Sequence, residues 1–451
     1  MRRLVVVGAD AAGMSAASQA VRVAGGDLEV VALETTTHTS YSACGIPYWI
    51  AGDVSEGDEL VARTAEQHRG NGIDLRLRHE VTGLDTAAGE VEVRDHGDDR
   101  TYRLGYDDVL LTTGAEPVLP EWAQGGEAVL PVKTLDDGAA WRGVVDERRP
   151  TCALVVGGGY IGVEVAESFA RRGITTTLVT RGAEPMSSSF EPAMGARVRE
   201  ALERLGVDVV TGTEVTSLEP VGADGVGARA ACVGGIEYAA DVVALGIGVR
   251  ARTSLATDAG LAVGDHGGLV PDDHQRLADG VWAAGDCCEV WDRVLGQHWF
   301  VPLGTHANKA GRVAGTNLGG GEACFPGTVG TAISRAGDAE LSRTGLLLEW
   351  ARATGRDAVA VTVESTTASG YMPEADPMTV TAIGERGTGL LLGLQIVGGR
   401  GAGKRIDVAA TALWAGMRAD DVAMLDLAYA PPFSPVWDPV QIACRTLARD
   451  L

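Results

Sequence analysis

Residues 153–162 read ALVVGGGYIG, an apolar run that leads straight into a glycine-rich turn. Gly157, Gly159 and Gly162 complete the pattern G-x-G-x-x-G, and residues 163–172 continue in a sequence typical of a helix. Glycine at these places allows a tight turn, a close approach of the backbone to a pyrophosphate, and close packing of the helix on the strand. The stretch therefore predicts a Rossmann-type unit that binds a dinucleotide at the amino end of its helix.

The strand expected next, at residues 175–179, indicates which dinucleotide binds. A site for NAD usually carries an acid at the end of this strand, where it bonds the ribose 2′-hydroxyl. Here Thr180 and Arg181 stand in that place, and an arginine can pair with a 2′-phosphate. The sequence favours NADPH, with NADH as the alternative cofactor. The competing interpretation is that Arg181 is only a solvated charge at a strand end.

A similar unit opens the chain, where residues 4–13 read LVVVGADAAG. Gly8 and Gly13 keep the turn position and the helix-packing position of the pattern, but Asp10 replaces the middle glycine. The following strand ends at Glu34, about 20 residues beyond the loop, where an acid would bind a ribose hydroxyl. The sequence therefore predicts a second dinucleotide-binding unit at the amino terminus.

The rest of the chain predicts how the two units are joined. Residues 109–114 have the pattern of a buried strand that closes the first unit, and residues 281–286 form another short strand that ends in Gly-Asp. This Gly-Asp resembles the one at which two-dinucleotide flavoproteins resume their FAD-binding domain. The resemblance implies an α/β protein with two Rossmann-like dinucleotide-binding domains, one inserted in the other, and the pattern after residue 325 indicates an α+β carboxy-terminal domain. The expected boundaries are residues 1–115 and 249–324 for the first domain, 116–248 for the inserted domain and 325–451 for the third.

Composition excludes several classes of function. The 451 residues carry a formal net charge of -23, and a surface of that sign repels nucleic acid and anionic membranes. No apolar run reaches the ~18 residues of a membrane span, and no signal peptide precedes the first strand. The seven cysteines include no C-x-x-C pair, which argues against a disulfide framework and against a metal site. The sequence thus predicts a cytoplasmic protein without a nucleic-acid partner, a membrane partner or a metal.

Four further segments carry a resemblance to a known family. They are SYSACGIPY at residues 40–48, PLGTHANK at 302–309, KRID at 404–407 and AYAPPF at 428–433. Together with the two glycine loops they resemble the single-cysteine branch of the pyridine nucleotide-disulfide oxidoreductases, over essentially the whole chain. Within that branch the chain is most like the coenzyme A disulfide reductases.

The resemblance implies a bound FAD in the first domain and a nicotinamide cofactor in the inserted domain. It also implies a homodimer, in which the third domain serves as a dimerisation domain and closes over the partner's flavin. The residues that it assigns to cofactor binding are Gly8, Ala11, Gly13, Glu34, Thr113, Gly114, Gly157, Gly159, Ile161, Gly162, Arg181, Gly248, Gly285, Asp286 and Ala307.

Cys44 is the cysteine to which the resemblance assigns the redox chemistry. The residues after it, 45–48, can open a helix, and a helix amino terminus favours thiolate, the form that attacks disulfides. A buried cysteine without such a context is more often an inert packing residue. We interpret the remaining cysteines in that second way: Cys152, Cys232, Cys287, Cys288, Cys324 and Cys444.

Cys44 has no partner cysteine three to five residues away, so it cannot form the internal redox disulfide of glutathione-reductase-like enzymes. Those enzymes also use a histidine near the carboxy terminus, whereas the last histidine here is His306. A departing thiolate then needs another proton donor. The resemblance points to Tyr429 and Tyr371, reaching the cysteine of the partner subunit. The alternative is that both tyrosines only pack within the third domain.

The resemblance also assigns contacts to coenzyme A, at Ser15, Gln19, Arg22, Ser40, Asn308, Lys404 and Arg405. Three positions depart from the family's pattern: Ala43 stands where an asparagine is common, and Asn71 and Trp437 stand where lysines are common. Each departure removes a polar or cationic contact, so the choice of coenzyme A as the thiol rests on the resemblance.

The resulting hypothesis is an FAD-dependent, NAD(P)H-driven reduction of a small disulfide. Coenzyme A disulfide is the expected substrate, and the expected intermediate is a mixed disulfide between Cys44 and coenzyme A. Reduction of a persulfide or polysulfide is an alternative that uses the same sulfur. A further alternative is an NAD(P)H oxidase or peroxidase that cycles Cys44 through a sulfenate, although the first glycine loop lacks the histidine of such enzymes. A flavin-bound redox sensor ranks last.

Overall fold

The computed structural model describes residues 1–123, 129–221 and 227–451. Within these stretches no helix combines the length and the apolar character needed to cross a membrane. The α-helices are Ala11–Ala24, Ile46–Ala51, Ala65–Gly70, Leu135–Gly143, Tyr160–Arg171, Pro192–Arg204, Ser254–Asp258, Gly304–Leu318, Leu348–Ala353, Ile406–Trp414, Ala419–Ala423 and Pro439–Leu447.

The first sheet joins strands from both sides of the inserted segment. Its spatial order is Arg276–Ala278, Val281–Ala283, Asp108–Leu111, Arg2–Val7, Leu28–Glu34 and Ile73–Leu77, and all neighbours are parallel except the first pair. The central strands are buried runs of valine and leucine, as expected of strands covered on both faces. Val281 pairs with Val109, which confirms that the first domain resumes after the insertion.

The second sheet is parallel as well. Its order is Asp208–Val210, Thr175–Val179, Cys152–Val156, Val242–Leu245 and Val129–Leu130. The helix that follows the central strand begins at Tyr160, three residues before the predicted start. Gly159 is its N-cap residue, so the last residues of the glycine pattern already belong to the helix. Phe169 of this helix is fully buried and lies against Trp141, with ring centroids 5.1 Å apart.

The chain passes between the two parallel sheets through a two-stranded ribbon. Ala115–Pro117 leads out of the first sheet, and Val249–Ala251 returns beside it in the antiparallel direction. Thr113 lies at this crossing and its Oγ1 donates to the carbonyl oxygen of Arg252 at 2.6 Å. The ribbon lies next to the domain boundaries expected at residues 115 and 248. These domain boundaries stay predictions.

The last part of the chain forms an antiparallel sheet of five strands. Its order is Ala332–Ala336, Ala339–Gly345, Leu391–Gly398, Pro377–Glu385 and Ala358–Thr366. Two helices of this domain, Ile406–Trp414 and Pro439–Leu447, pack on the sheet and bury its apolar side chains. Smaller antiparallel sheets and ribbons complete the fold: His79–Asp85, Glu90–Asp95 and Arg100–Gly105; Val215–Val221, Gly227–Cys232 and Glu237–Ala240; Val290–Asp292 and Gln297–Trp299.

Two glycines bring the helix Gly304–Leu318 into close contact with the first helix of the chain. A Cβ at Gly311 would lie 2.2 Å from the carbonyl oxygen of Ala12, and one at Gly315 would lie 2.2 Å from that of Ala16. No larger residue fits at either place without separating the helices. The amino terminus is thereby packed against a segment about 300 residues later.

We call six exposed apolar or aromatic side chains of the third domain its apolar face. They are Tyr371, Met424, Tyr429, Phe433, Val436 and Trp437, and their exposed fractions run from 40% to 75%. A hydrogen bond from the Ser369 amide to the Pro431 carbonyl joins the loop of Tyr371 to that of Tyr429 and Phe433. Exposed apolar groups on joined loops mark an interaction surface more often than a free face.

Candidate active site

A single large cavity connects the two glycine loops with Cys44. Its volume is about 2980 Å³, whereas a pocket for one small ligand usually measures ~300–1,000 Å³. Asp10 and Ala11 line it from the first loop, residues 157–159 line it from the second, and Cys44 lies between them. The cavity is therefore large enough to hold more than one nucleotide-sized ligand at the same time.

The first loop has the backbone geometry of a phosphate cradle. Gly8 has φ +97°, and a Cβ there would lie 2.3 Å from the carbonyl oxygen of Thr112. A Cβ at Gly13 would lie 2.0 Å from the carbonyl oxygen of Gly8, so the helix packs on the strand only because both residues are glycine. The free amides of the helix Ala11–Ala24 then point toward the cavity, where a pyrophosphate can accept from them.

Glu34 stands at the end of the second strand, as predicted. Its Oε2 accepts from the Ala9 amide at 2.8 Å, and its Oε1 accepts from the Thr36 amide at 2.9 Å. The carboxylate is therefore fixed beside the loop by the chain itself. A carboxylate fixed at this point suits a ribose hydroxyl, so the residues present fit the adenosine end of FAD.

Asp10 departs from the usual pattern of this loop, and its surroundings are unfavourable to a charge. Burial raises the pKa of its carboxyl to about 6, while the Tyr41 amide, which donates to Oδ1 at 3.2 Å, acts in the opposite direction. The negative charges of Glu34 and Asp286 raise the pKa further. The loop thus carries a titratable acid where other dinucleotide loops have glycine.

The second loop repeats this geometry with different charges. Gly157 has φ +106°, and a Cβ at Gly162 would lie 1.8 Å from the carbonyl oxygen of Gly157. At Gly159, by contrast, the nearest atom to an added Cβ is 3.9 Å away, so this glycine leaves room for a ligand. Thr180 is buried at the end of the next strand, whereas Arg181 is exposed and lines the cavity. In the described part of the chain Arg181 forms no ion pair.

Cys44 lies in a short 3-10 turn, Ala43–Gly45, which leads into the helix Ile46–Ala51. Its sulfur is open to the cavity. The expectation that this position favours thiolate is wrong for the protein alone, because burial raises the pKa of Cys44 and the negative charge of Glu164 raises it further. Lys133 acts in the opposite direction, as does the backbone hydrogen bond. The helix is short, and its effect does not outweigh the burial.

Glu164 is a functional candidate that the sequence interpretation missed. It lies on the helix Tyr160–Arg171, two residues after the last glycine of the second loop, and faces the same cavity as Cys44. Burial raises the pKa of its carboxyl to about 7, although Ser334 Oγ donates to Oε1 at 2.7 Å. The only sign of this candidate in the sequence is its position four residues after Tyr160, which places both side chains on the same face of the helix.

Lys133 and Asp286 line the part of the cavity near Cys44. Lys133 Nζ lies 3.4 Å from Asp286 Oδ2, and both side chains are largely shielded from solvent. Asp286 follows Gly285, whose φ is +88° and where a Cβ would lie 2.7 Å from Ala12 Cβ. The structure therefore places the predicted Gly-Asp pair against the first helix, and Lys133 is a neighbour that the sequence interpretation missed.

Most of the predicted substrate contacts line the cavity. They are Ser15, Gln19, Arg22, Ser40, Asn308 and Lys404. Ser15 Oγ donates to Asn308 Oδ1 at 2.7 Å, which joins the helix Ala11–Ala24 to the helix Gly304–Leu318. Within the first helix, Arg22 Nη1 donates to Gln19 Oε1 at 2.7 Å. Three further cations that the sequence interpretation missed line the same cavity: Arg63, Lys309 and Arg312.

Arg405 behaves differently from the other predicted substrate contacts. Its guanidinium is nearly buried and pairs with Asp438, with Nε 3.0 Å from Oδ2. Nη2 also donates to the carbonyl oxygens of Thr367, at 2.7 Å, and Phe433. These contacts leave no free edge for a substrate, so the prediction of a substrate contact at Arg405 is not supported, and the side chain instead joins two loops of the third domain.

Those two loops carry the predicted proton donors. Tyr371 and Tyr429 are 75% and 48% exposed, and neither lines the cavity of its own chain. The Ser369 amide donates to the carbonyl oxygen of Pro431 at 2.9 Å, which ties one loop to the other. One chain therefore does not bring the tyrosines to Cys44, and a role for them requires a second chain.

The remaining predicted cofactor residues divide into two groups. Ala11, Ile161, Gly248, Asp286 and Ala307 line the cavity, together with Gly157, Gly159 and Arg181. Gly8, Gly13, Glu34, Thr113, Gly114, Gly162 and Gly285 do not line it and shape the backbone behind it. Among the other cysteines, Cys287 and Cys288 are buried as predicted, but Cys324 is exposed, so its interpretation as a packing residue is wrong.

Comparison with known proteins agrees with this geometry. A family model described as pyridine nucleotide-disulphide oxidoreductase matches residues 2–307, and one described as the dimerisation domain of that family matches residues 335–439. An NAD(P)H coenzyme A polysulfide/persulfide reductase of Pyrococcus horikoshii is 34% identical over 451 residues, which cover 99% of this chain and 98% of that protein.

Two further comparisons bear on the substrate. A coenzyme A disulfide reductase of Staphylococcus haemolyticus is 27% identical over 454 residues, covering 100% of both chains. The solved structure of an NAD-dependent persulfide reductase from A. fulgidus has a TM-score of 0.93 and 33% identity, and the match covers 99% of this chain and 83% of that one. Similar proteins are therefore named for two different sulfur substrates.

Proposed function

The chain belongs to the pyridine nucleotide-disulphide oxidoreductase family, and from that premise we propose that it reduces the sulfur–sulfur bond of a small, coenzyme A-linked substrate through Cys44. The observation that carries the proposal is the position of this sulfur. Cys44 is open to a cavity that both glycine loops share, and no second cysteine of the described residues lines that cavity. Without a second thiol in the described lining, a disulfide at Cys44 forms with a sulfur of the substrate.

Membership of the family implies FAD and a pyridine nucleotide, and the residues described above would hold them. Gly8, Gly13 and Glu34 would form the FAD cradle, and Gly157, Gly159 and Arg181 would form the nucleotide site. When bound, the two cofactors supply the pair of electrons that returns an oxidised Cys44 to the thiolate.

Cys44 itself performs the bond exchange. Its thiolate attacks one sulfur of the substrate, forming a mixed disulfide and releasing the other sulfur as a thiolate. Addition of two electrons to the mixed disulfide then frees the second thiolate and restores Cys44. Two protons are needed per turnover, one for each released thiol.

Two sources of protons suit the geometry. Glu164 lies in the same cavity and has a pKa of about 7, so near neutral pH it can hold a proton close to Cys44. Lys133 favours the thiolate through its positive charge. For the leaving thiol we assign the donor role to Tyr429 of the other protomer, with Tyr371 beside it, because these side chains are exposed on the apolar face of the third domain.

This assignment includes a homodimer. The dimerisation domain of the family covers residues 335–439, and the apolar face formed by Tyr371, Met424, Tyr429, Phe433, Val436 and Trp437 has the character of an interface. Burial of these side chains against a second copy would bring two tyrosines of one protomer over the cavity of the other. Arg405 then acts as a positioning residue that fixes both tyrosine loops.

The cations Arg22, Arg63, Lys309 and Arg312, which all line the cavity, support coenzyme A as the thiol. The chain as a whole is strongly acidic, so a group of cations along one cavity is a local feature that suits a phosphorylated ligand. Ser15 and Asn308 add polar contacts in the same cavity.

A second candidate substrate is a persulfide or polysulfide. It is favoured by the similarity to the P. horikoshii protein, whose name includes that activity, at a higher identity than the named disulfide reductase. The chemistry at Cys44 is the same, but the released product is sulfide. We propose NADPH as the preferred donor in either reaction, because Arg181 is exposed in the cavity in the place of the usual acid.

The test is a steady-state panel of the FAD-loaded protein with NADPH or NADH. The acceptors are coenzyme A disulfide, coenzyme A persulfide, polysulfide, peroxide and oxygen. We expect Cys44→Ser to lose at least about a thousandfold in turnover of the preferred sulfur acceptor, because the attacking atom is gone. Cys152→Ser is the matched control, since it removes a half-buried thiol outside the cavity, and should keep turnover within about twofold.

Three results would contradict the proposal. Full turnover by Cys44→Ser would exclude Cys44 as the attacking atom. Fast consumption of oxygen or peroxide, with slow reaction of every sulfur acceptor, would indicate an oxidase or peroxidase. Negligible turnover with all acceptors despite full FAD occupancy would indicate a redox sensor.

A further inference from the structure

A second group of reactive side chains lies outside the cavity. Asp273, His274 and Cys324 each offer one ligand-type atom, and these three atoms all lie within 4.8 Å of one another. Asp273 and His274 belong to the loop before the strand Arg276–Ala278. Cys324 lies beyond the helix Gly304–Leu318, on the segment that leads to the third domain. None of the three lines the cavity that contains Cys44.

The separations suit one divalent metal ion. Cys324 Sγ lies 3.7 Å from both ring nitrogens of His274, and His274 Nε2 lies 3.8 Å from Asp273 Oδ1. Zinc binds sulfur at about 2.3 Å and nitrogen or oxygen at about 2.0–2.2 Å, so two ligand atoms of a tetrahedral site lie roughly 3.3–3.7 Å apart. Because the Cys324 side chain is exposed, a rotation about its χ1 can bring the sulfur in front of Nε2 and complete the coordination.

The histidine is already held in the tautomer that binds a metal. Nδ1 lies 3.0 Å from the carbonyl oxygen of Ala323. Because a carbonyl only accepts, Nδ1 carries the hydrogen, and the lone pair is on Nε2, the nitrogen nearer to the Asp273 carboxylate. A backbone carbonyl bonded to the second ring nitrogen is the usual support of a metal-binding histidine.

The two backbone segments that carry the ligands are fastened together. Asn317 Nδ2 donates to the carbonyl oxygens of His274, at 2.8 Å, and Ala323, at 2.9 Å. Asn317 Oδ1 accepts from the Ala323 amide at 2.7 Å, and the Phe325 amide donates to the carbonyl oxygen of Asp273 at 2.7 Å. Ligands held by such a frame lose little conformational freedom when an ion binds.

We propose that Asp273, His274 and Cys324 form a surface site for a divalent transition metal, with Zn²⁺ as the best match and water as the fourth ligand. One thiolate and one carboxylate supply two negative charges, which balance the charge of the ion. Binding converts the Cys324 thiol to a thiolate and releases one proton to solvent. The bound ion links the edge of the first sheet to the segment that enters the third domain.

The ligands are about 50 residues apart in sequence, so no spacing motif reveals them. A mixed set of thiolate, imidazole and carboxylate excludes Mg²⁺ and Ca²⁺, which prefer oxygen ligands alone, and suits zinc or cobalt. The exposed position means that water can reach the fourth coordination place.

The test uses the full-length, FAD-loaded protein, freed of metal and titrated with Co²⁺. Tetrahedral cobalt bound to a thiolate absorbs visible light beyond the flavin bands, and we expect one such ion per chain, displaced by one equivalent of Zn²⁺. Cys324→Ser, His274→Gln and Asp273→Asn should each weaken Co²⁺ binding by at least about tenfold. Flavin absorbance reports whether each variant is folded.

Two control variants make the result decisive. Glu322→Gln removes a nearby exposed charge that is not a ligand, and should change Co²⁺ affinity by less than about twofold. Cys44→Ser should keep the cobalt bands, because its thiol lies in the cavity. Equal binding by Cys324→Ser and the unchanged protein would overturn the proposal. So would loss of the bands in Cys44→Ser, or a Glu322→Gln effect as large as that of Asp273→Asn.

Discussion

The two glycine loops of this protein have the same backbone geometry but carry different charges. A Cβ at Gly13 would lie 2.0 Å from the carbonyl oxygen of Gly8, and one at Gly162 would lie 1.8 Å from that of Gly157. The middle position is Asp10 in one loop and Gly159 in the other, and the next strand ends in Glu34 in one and in Thr180 and Arg181 in the other. Chain geometry thus fixes the outer glycines, while the positions that meet a ligand are free to vary.

The largest expected effect tests the shared part of this comparison. Gly162→Val places a side chain against a backbone carbonyl that cannot move without separating helix from strand, so we expect a loss of more than about 4 kcal/mol in the free energy of unfolding. Gly159→Ala is the matched control, because its Cβ would meet nothing closer than 3.9 Å, and should change stability by less than about 1 kcal/mol.

The measurement is urea unfolding followed by circular dichroism, with the transition of the inserted domain compared between the two variants. Gly13→Val should show the same loss in the first domain. Equal stability of Gly159→Ala and Gly162→Val would show that packing of the helix on the strand does not require glycine at position 162.

The next effect concerns Asp10, which has no counterpart in the second loop. Its folded pKa of about 6 exceeds the ordinary 3.8, so the folded state binds more protons between these values, and stability falls as pH rises through that window. In the protein without FAD, Asp10→Asn should therefore be more stable than the unchanged protein at pH 7, by roughly 2–3 kcal/mol.

Urea unfolding of the FAD-free protein at pH 4 and pH 7 checks this prediction, because the difference between the two proteins should be small at pH 4. A constant difference at both pH values would mean that the carboxyl does not titrate between them.

The third effect concerns Arg181, the cation of the second loop. Removal of a charged partner of the 2′-phosphate costs roughly 1.5–3 kcal/mol, so Arg181→Ala should raise the KM for NADPH about tenfold or more. The KM for NADH should change by less than about twofold, since NADH has no such phosphate. Initial-rate kinetics with NADPH and with NADH measure the two KM values. An equal rise in both would show that Arg181 does not determine the preference for NADPH.

The smallest effect compares the same helix position in the two units. Ser15 and Glu164 each lie two residues after the last glycine of their loop, but only Glu164 carries a charge that raises the pKa of Cys44. Glu164→Gln removes that charge, so the pKa of Cys44 should fall by a fraction of a pH unit. Alkylation rates of Cys44 between pH 6 and 10 report the shift, and Cys44→Ser gives the background from the other cysteines. A pKa that rises or stays unchanged would contradict the assignment.

Both fingerprint units could be predicted because their signals are local. A buried strand, a glycine turn and a helix follow one another within about 25 residues, and each requirement falls on a residue type that few others can replace. The insertion was predictable through the resemblance, because the Gly-Asp at 285–286 matches the place where such flavoproteins resume their first domain. The pairing of Val281 with Val109 agrees with that prediction.

The properties that the sequence did not predict come from contacts across long distances in the chain. The pKa of Cys44 depends on Glu164, which belongs to the other dinucleotide domain, and on burial that only the assembled cavity creates. Arg405 resembled a substrate contact because its motif matched, but Thr367, Phe433 and Asp438 surround it in the folded domain. No local pattern encodes such neighbours.

The contact of Gly311 and Gly315 with the first helix has a consequence for synthesis of the protein. The helix Ala11–Ala24 leaves the ribosome early, but the surface that covers it is made about 280 residues later. At ~5–20 residues per second, this helix waits roughly 15–60 s for its partner. Synthesis of the inserted domain is complete before then. We therefore expect newly made chains to carry a folded inserted domain between two unfolded parts of the first domain. Those parts stay exposed to chaperones throughout the delay.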